Sequence, residues 1–562
     1  MGQSVSPGRI GGPGSLERGF GDQTGSRLVL VFSPRSPCRS LDGHRRGQLG
    51  PTDPGSYRKT GDRRSSPSTR RGAARWAGQG EIRRAGLRAA AGLVLGHKSG
   101  RLLRFGGEEH VLVYAPTRSG KGAGFVIPTL LTWPYSAVVL DIKAENHAAT
   151  AGRRAEMGQQ VFFFDPFAKE GRTARYNPLG HIPRDQQSIC LRELKKIAIL
   201  LFPDQAKGDF FWVGAARNAF VAVGMFIAQS PNSHRDFTLG AITRELTIAD
   251  LRQRLIAILQ ARSAGPGSLT PLCVSLLQDV ADSADNTFAG IRQTVTSRLS
   301  LWLSPEVDLA TSRSDFELSS LRTRSVTIYL AAGPSDLDLV APLYGLLMQQ
   351  IVEHSARQLP PPGDPRQLLV LLDEFARLGR AQALADSFSY LAGYGVRLAA
   401  VIQTPAQLRH LYGPDGAREI MANCGAELIF APKELQDARE LSERLGDYDY
   451  SALSRSRAEG MSAAKRSVSQ STQRRRLLLP QELMMLPADR AVIIRTGAPP
   501  TLASKLVWYR DRRFQKLWRP APRPSQAIDL RDCTPAARDE VSPLAAAQSD
   551  DLFASHDREL ER

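Results

Sequence analysis

Three side chains in this 562-residue sequence have the chemistry to act together on a nucleoside triphosphate: Lys121, Asp373 and Glu374. Lys121 stands in Ala115-Pro-Thr-Arg-Ser-Gly120-Lys121-Gly122-Ala-Gly124, a glycine-rich turn that ends the apolar run beginning at His110. Glycines let consecutive backbone N–H groups point at a polyphosphate, and a helix starting there adds partial positive charge. The cradle comprises Thr117, Arg118, Ser119, Gly120, Lys121, Gly122 and Ala123, and Lys121 reaches the β- and γ-phosphates as a mobile cation. The spacing G-x-x-x-x-G-K-[ST] is met incompletely, since Ala115 replaces the first glycine and Gly122 the hydroxyl residue. A glycine-rich β–α turn with a solvated lysine has the same composition.

The two acids stand in Gln367-Leu-Leu-Val-Leu-Leu-Asp373-Glu374, where an apolar strand runs into them. Asp373 would hold Mg²⁺, through water, and Glu374 would polarise the attacking water. Two solvated acids after a buried strand are the plainer alternative. Arg397-Leu-Ala-Ala-Val-Ile-Gln403 ends in an amide placed either to sense the γ-phosphate or to cap the next helix.

These residues require a particular scaffold. Ala137–Asp141, Gln160–Asp165, Ser325–Ala331, Gln367–Asp373, Arg397–Gln403 and Ala426–Phe430 are continuous apolar runs separated by helical stretches. That rhythm predicts a mostly parallel α/β sheet buried on both faces, with ligands at the C-terminal strand ends. Asp141, Lys143 and Glu145 fall on that side. Helices are expected over 191–202, 210–229, 248–260, 272–284 and 288–303, an all-α domain inserted in the α/β domain. Its Phe210-Phe211-Trp212 cluster reads as core packing more readily than as a base-stacking platform. Further expectations are a helix over 81–91, strands at 94–96, 101–105, 491–495 and 506–509, and a mobile basic loop over 451–476. The organisation is therefore 1–72, a disordered basic leader; 73–185 and 321–515, two parts of the nucleotide-binding domain; 186–320, the all-α domain; and 516–562, a disordered acidic tail.

The net charge of +18 favours polyanionic partners, nucleic acid or an anionic membrane surface. Five cysteines without a C-x-x-C pair argue against a zinc site or disulfide framework. No signal peptide is evident, and no apolar run approaches the roughly 18 residues of a membrane-spanning helix.

Ala115-Pro-Thr-Arg-Ser-Gly-Lys-Gly-Ala-Gly-Phe-Val-Ile-Pro-Thr-Leu-Leu-Thr-Trp-Pro134 resembles the phosphate loop of the type IV secretion coupling proteins, the TraG family of conjugative transfer. Leu140-Asp-Ile-Lys-Ala-Glu-Asn146, Leu372-Asp-Glu-Phe-Ala-Arg-Leu-Gly379, Ala392-Gly-Tyr-Gly-Val-Arg397, Ile402-Gln403 and Leu479-Pro-Gln-Glu-Leu-Met484 extend the resemblance over residues 73 to 515. Glycine after the loop lysine is common in that family. The resemblance implies a RecA-like P-loop NTPase core and a homo-hexamer around a channel, using ATP and Mg²⁺. Partners would be a relaxase–DNA complex or secreted effector proteins, single- or double-stranded DNA, and components of the secretion channel. Lys121 would be the phosphate lysine, Asp373 the metal-side acid, Glu374 the hydrolytic acid and Gln403 the sensor. The family works at the cytoplasmic face of the bacterial inner membrane, usually from N-terminal transmembrane helices. Their lack here keeps a soluble variant open. Arg397 and Arg474–Arg476 are the candidates for an arginine acting on a neighbouring subunit's nucleotide. The expected function is an ATPase coupling protein that feeds DNA or protein to the channel. A docking receptor that does not hydrolyse, or a cytosolic DNA translocase of related fold, are the alternatives.

Overall fold

The computed structural model describes residues 74–204, 210–230, 237–262, 267–456 and 467–529. Eleven strands form one sheet: β1 (Leu93–Lys98), β2 (Arg101–Phe105), β3 (His110–Tyr114), β4 (Ala137–Ile142), β5 (Gln160–Phe164), β6 (Val326–Ala332), β7 (Leu368–Leu372), β8 (Val396–Ile402), β9 (Cys424–Ile429), β12 (Arg490–Arg495) and β13 (Ala498–Ser504). Two more, β10 (Asp447–Ser456) and β11 (Ser467–Arg476), pair separately. The sheet order is β2-β1-β13-β12-β9-β3-β8-β7-β4-β6-β5. From β9 to β5 every pairing is parallel, and β12, β13, β1 and β2 add an antiparallel flank.

Burial on both faces explains the uninterrupted apolar strands. Along β3, Leu112 and Tyr114 face one hydrophobic cluster while Val111 and Val113 face another. The first cluster runs on without a break into the helices between β5 and β6. Among the described residues that stretch contains no strand, and its helices are 187–201, 210–228, 239–247, 251–262, 271–281, 285–299 and 305–310. Helix Leu239–Thr247 was not expected. It is short, and its start is marked only by Thr238, whose hydroxyl accepts from Ala241 N. One described helix, Phe211–Ala228, is long and apolar enough to cross a membrane. It lies inside the helical layer, with Ala216, Ala219, Phe220 and Val223 fully buried.

Several expectations are corrected. The helix expected over 81–91 stops at Arg84, because Gly86 takes φ +71° and turns the chain. The last strand is Ala498–Ser504, not Leu506–Tyr509. Pro499 and Pro500 hid it, yet it pairs antiparallel with β12 across the turn at Gly497. Leu506 instead buries itself beside Ile127, Leu131 and Phe514. The basic stretch 451–476 is not wholly a loop: residues 451–456 and 467–476 belong to the paired strands β10 and β11, and 457–466 lie outside the described residues. Of the aromatic cluster, Trp212 packs against Gly290, whereas Phe211 stays 59% exposed. The Phe210 side chain falls outside the described residues.

The leader 1–72 and the residues from 530 onward also lie outside them. The first part of the expected acidic tail is ordered. Residues 516–529 cross the helix Glu145–Glu156, where Arg519 pairs with Glu156 at 2.6 Å, and Ile528 is buried.

Candidate functional site

Sheet order brings the chemistry together. β3, β8, β7 and β4 are consecutive neighbours. Their C-terminal ends carry the glycine-rich loop, Gln403, Asp373-Glu374 and Asp141 respectively. In parallel sheets that edge is the ligand-binding one.

The loop leaves β3 at Ala115, whose N–H donates to the Ile402 carbonyl at 2.8 Å. Arg118 (φ +64°) and Gly120 (φ +87°) both take left-handed backbone, and Lys121 then opens the helical turn. A π-helical turn, Gly122–Val126, wider than an α-turn, runs into the α-helix Ile127–Thr132, so the helix expected after the glycine turn begins at the loop itself. Gly124 is in a crowded place: a Cβ there would lie 3.1 Å from the Leu506 carbonyl oxygen. Gly122 is not crowded, since a Cβ would meet nothing within 4 Å. The missing hydroxyl at that position is thus a choice of residue and not a steric demand.

The Lys121 ammonium donates to the Asp373 carbonyl at 2.6 Å and to Glu374 Oε1 at 3.1 Å, and lies 3.2 Å from Asp373 Oδ1. Loop lysine and strand-end acids, far apart in sequence, therefore meet at one point. Asp373 Oδ2 accepts from Asn146 Nδ2 at 3.2 Å. Asp373 Oδ1 is buried and accepts no hydrogen bond among the described residues. A carboxylate held by Asn146 at one oxygen and facing only the Lys121 ammonium at the other suits a hard divalent cation once that ammonium moves, so the residues present suit Mg²⁺. Glu374 also faces Arg377 at 3.7 Å. Gln403 joins the loop directly: its Oε1 accepts from the Thr117 hydroxyl at 3.0 Å, and its N–H donates to Gln407 Oε1.

Asp141, fully buried, receives the Asn146 and His147 N–H groups at 3.0 and 2.6 Å. It thereby holds the first turn of the helix Glu145–Glu156, after a turn in which Lys143 and Ala144 both take positive φ. Burial pushes its carboxyl up to about 7, partly opposed by those two N–H groups. Asp141 is accordingly a holder of Asn146 and not itself a ligand group. Lys143 and Glu145 belong to the same turn but make no contact with the acid pair that the structure records.

Sequence reasoning missed three residues here. Asn146 lay at the end of a motif and was unassigned. Lys433 donates to the Thr117 carbonyl at 3.2 Å, and Lys505 to the Ser119 carbonyl at 3.2 Å. Neither lysine carries a local signal, because only the folded sheet brings β9 and β13 beside the loop. One candidate is removed. Arg397 is 1% exposed, at the N-terminal end of β8, and stacks its guanidinium over Phe105 and Trp133. It cannot reach a neighbouring subunit. Arg475 pairs with Glu482 on the helix Pro480–Met484, Arg476 with Asp447 across the hairpin, and Arg474 is exposed.

The family model for type IV secretory system conjugative DNA transfer matches residues 75–529. Protein VirD4 of Agrobacterium fabrum is 32% identical over 461 residues, covering 80% of this chain and 67% of its own length. Conjugal transfer protein TraG of Escherichia coli is 29% identical over 511 residues, covering 81% and 80%. Among solved structures, the plasmid coupling protein TrwB in complex with a non-hydrolysable ATP analogue superposes with TM-score 0.58 at 16% identity, covering 79% of this chain and 96% of that one. TrwB in complex with ADP and Mg²⁺ gives 0.55 at 17% identity, covering 83% and 99%. These structural likenesses establish a shared fold.

Proposed function

The chain belongs to the type IV secretory system conjugative DNA transfer family, and from that membership we propose that it is an ATP-driven coupling protein. It takes a relaxase–DNA complex or an effector protein and passes it to the secretion channel. The observation that carries this reading is the meeting of Lys121 with Asp373 and Glu374 across two strand ends.

ATP binds with its phosphates on the loop Thr117–Ala123 and displaces Lys121 from the acids. Lys121 then neutralises the β- and γ-phosphates. Asp373 is the residue that would hold Mg²⁺, through water, and the ion would supply positive charge beside the phosphates. Glu374 orients and deprotonates the attacking water. Gln403, tied to Thr117, senses the change in the loop and relays it along β8. TrwB, with the same fold, has been crystallised with ADP and Mg²⁺ and with ATP analogues, which supports the cofactor assignment. We place the working protein as a homo-hexamer at the cytoplasmic face of the inner membrane, as the family resemblance implies.

A docking receptor that binds nucleotide without hydrolysing it is the second reading, favoured by the absent hydroxyl at Gly122. Steady-state ATP hydrolysis with and without single-stranded DNA separates the two. The motor reading expects DNA-stimulated turnover that falls about 10²-fold or more in Glu374→Gln, with nucleotide binding retained. It expects Lys121→Ala to lose both. Nucleotide binding with no turnover in the unaltered chain would leave the receptor.

A further inference from the structure

Lys505 has no role in the chemistry above, yet it is built into the loop. It leaves the end of β13, its own N–H donating to the Asp489 carbonyl at 2.6 Å. Its ammonium lies 3.9 Å above the centre of the Phe430 ring and donates to the Ser119 carbonyl at 3.2 Å. Phe430 follows β9, and its N–H donates to the Tyr114 carbonyl at the end of β3. The next residue, Leu506, puts its carbonyl against Gly124 and its side chain against Ile127 and Leu131. One short segment thus grips the loop on both sides of Lys121.

A trans peptide points its C=O and N–H in opposite directions. With the Ser119 carbonyl turned to Lys505, the Gly120 N–H is turned away from it. With the Thr117 carbonyl turned to Lys433, the Arg118 N–H is likewise turned away from that lysine. The two residues whose N–H groups are set in this way, Arg118 and Gly120, are those with left-handed backbone in the loop.

From this geometry we infer that Lys505 is a positioning residue for the phosphate loop: its ammonium, seated on Phe430, fixes the Ser119–Gly120 peptide so that the loop is set for polyphosphate before nucleotide arrives. The inference deepens the proposed ATP site and rests on it for its consequence, but the loop-holding itself does not need nucleotide.

The test compares the full chain with Lys505→Met, which keeps the stem and removes the charge, and Lys505→Arg, which keeps charge and ring contact. Two quantities are read: amide hydrogen exchange without nucleotide, and affinity for a fluorescent ATP analogue. Lys505→Met should speed exchange of amides 117–122 while leaving helix Leu337–Ser355 unchanged. It should weaken the analogue about 10-fold, the scale of one hydrogen bond to a charged group. Lys505→Arg should restore most of both. Unchanged exchange in the loop, or faster exchange throughout the sheet, overturns the inference. Localised faster exchange in a chain that binds no nucleotide even unaltered would uphold the loop-holding and sink the ATP site instead.

Discussion

Asn146 and Asp141 form a relay whose consequences are separable from those of Lys121. Asn146 holds one oxygen of Asp373 and leaves the other facing Lys121. Asn146→Ala frees the carboxylate to rotate, so the Mg²⁺ concentration for half-maximal hydrolysis should rise several-fold while metal-free nucleotide affinity stays constant. A Mg²⁺ titration of turnover checks this, and an unchanged midpoint refutes it. Asp141 contributes a pH dependence. Its carboxyl is raised from the usual range near 4 to about 7 by burial. The native state therefore binds more proton than the unfolded one between these values, and stability falls as pH rises through that window. The slope is at most about 1.4 kcal/mol per pH unit. Asp141→Asn removes the titrating group, so denaturant midpoints measured from pH 4 to 7 should flatten relative to the unaltered chain. The acids and Lys121 were legible because each ends an apolar strand or sits in a glycine turn. Asn146, Lys433 and Lys505 were not, since an amide or a lone lysine in a loop is ordinary until the sheet shows what it touches.

Elements were legible in proportion to how far one local pattern dominated them. β3, β7 and β8 are buried on both faces and read as apolar runs. β13 carries two prolines and pairs along its length with β12 but with β1 only at its end, His97 opposite Ser504, so its sequence resembles a loop. The β10–β11 hairpin is polar on both strands, and Tyr448 and Tyr450, opposite Arg475 and Gln473, are its main sign of order. The ordered tail was illegible for a similar reason: residues 516–529 are fixed by scattered contacts, such as Arg519 on Glu156 and the buried Ile528, rather than by their own periodicity. The helix Glu145–Glu156 receives that segment at Gly152, where a Cβ would fall 2.2 Å from the Pro520 carbonyl oxygen. Backbone meets backbone there, and neither can rotate aside. Gly152→Val should lift residues 516–529 off the helix, destabilising the chain by roughly 1–3 kcal/mol. Limited proteolysis would then cut within 516–529 well before the sheet. Unaltered protection of that segment would show that the helix shifts instead.

The helical stretch between β5 and β6 looks separable in sequence, with its own run of helices and no strand among the described residues. Its packing is not separable. Phe316 stacks on Tyr176 at 5.1 Å and sits edge-on to Phe164 of β5, whose ring also meets Tyr344 on the helix Leu337–Ser355. Leu194 and Phe220 from the helical stretch belong to the same buried cluster as Leu112, Leu140 and Leu372 of the strands that end in the site. Interiors packed to this degree transmit strain, so neither layer can open without exposing the other. A defect placed in the helical stretch should therefore be felt at the nucleotide loop. Phe316→Ala removes a buried ring far from Lys121 in sequence and should cost about 3–5 kcal/mol. In calorimetry the full chain should show one main transition, lowered by Phe316→Ala and raised by an ATP analogue, with both shifts acting on that same peak. Two peaks, of which the analogue moves only one, would mean that the helical layer folds on its own. In that case a change in the helices could not be communicated to Lys121 through the shared core. A single peak moved by both makes the core itself the link between the helical layer and the ATP site.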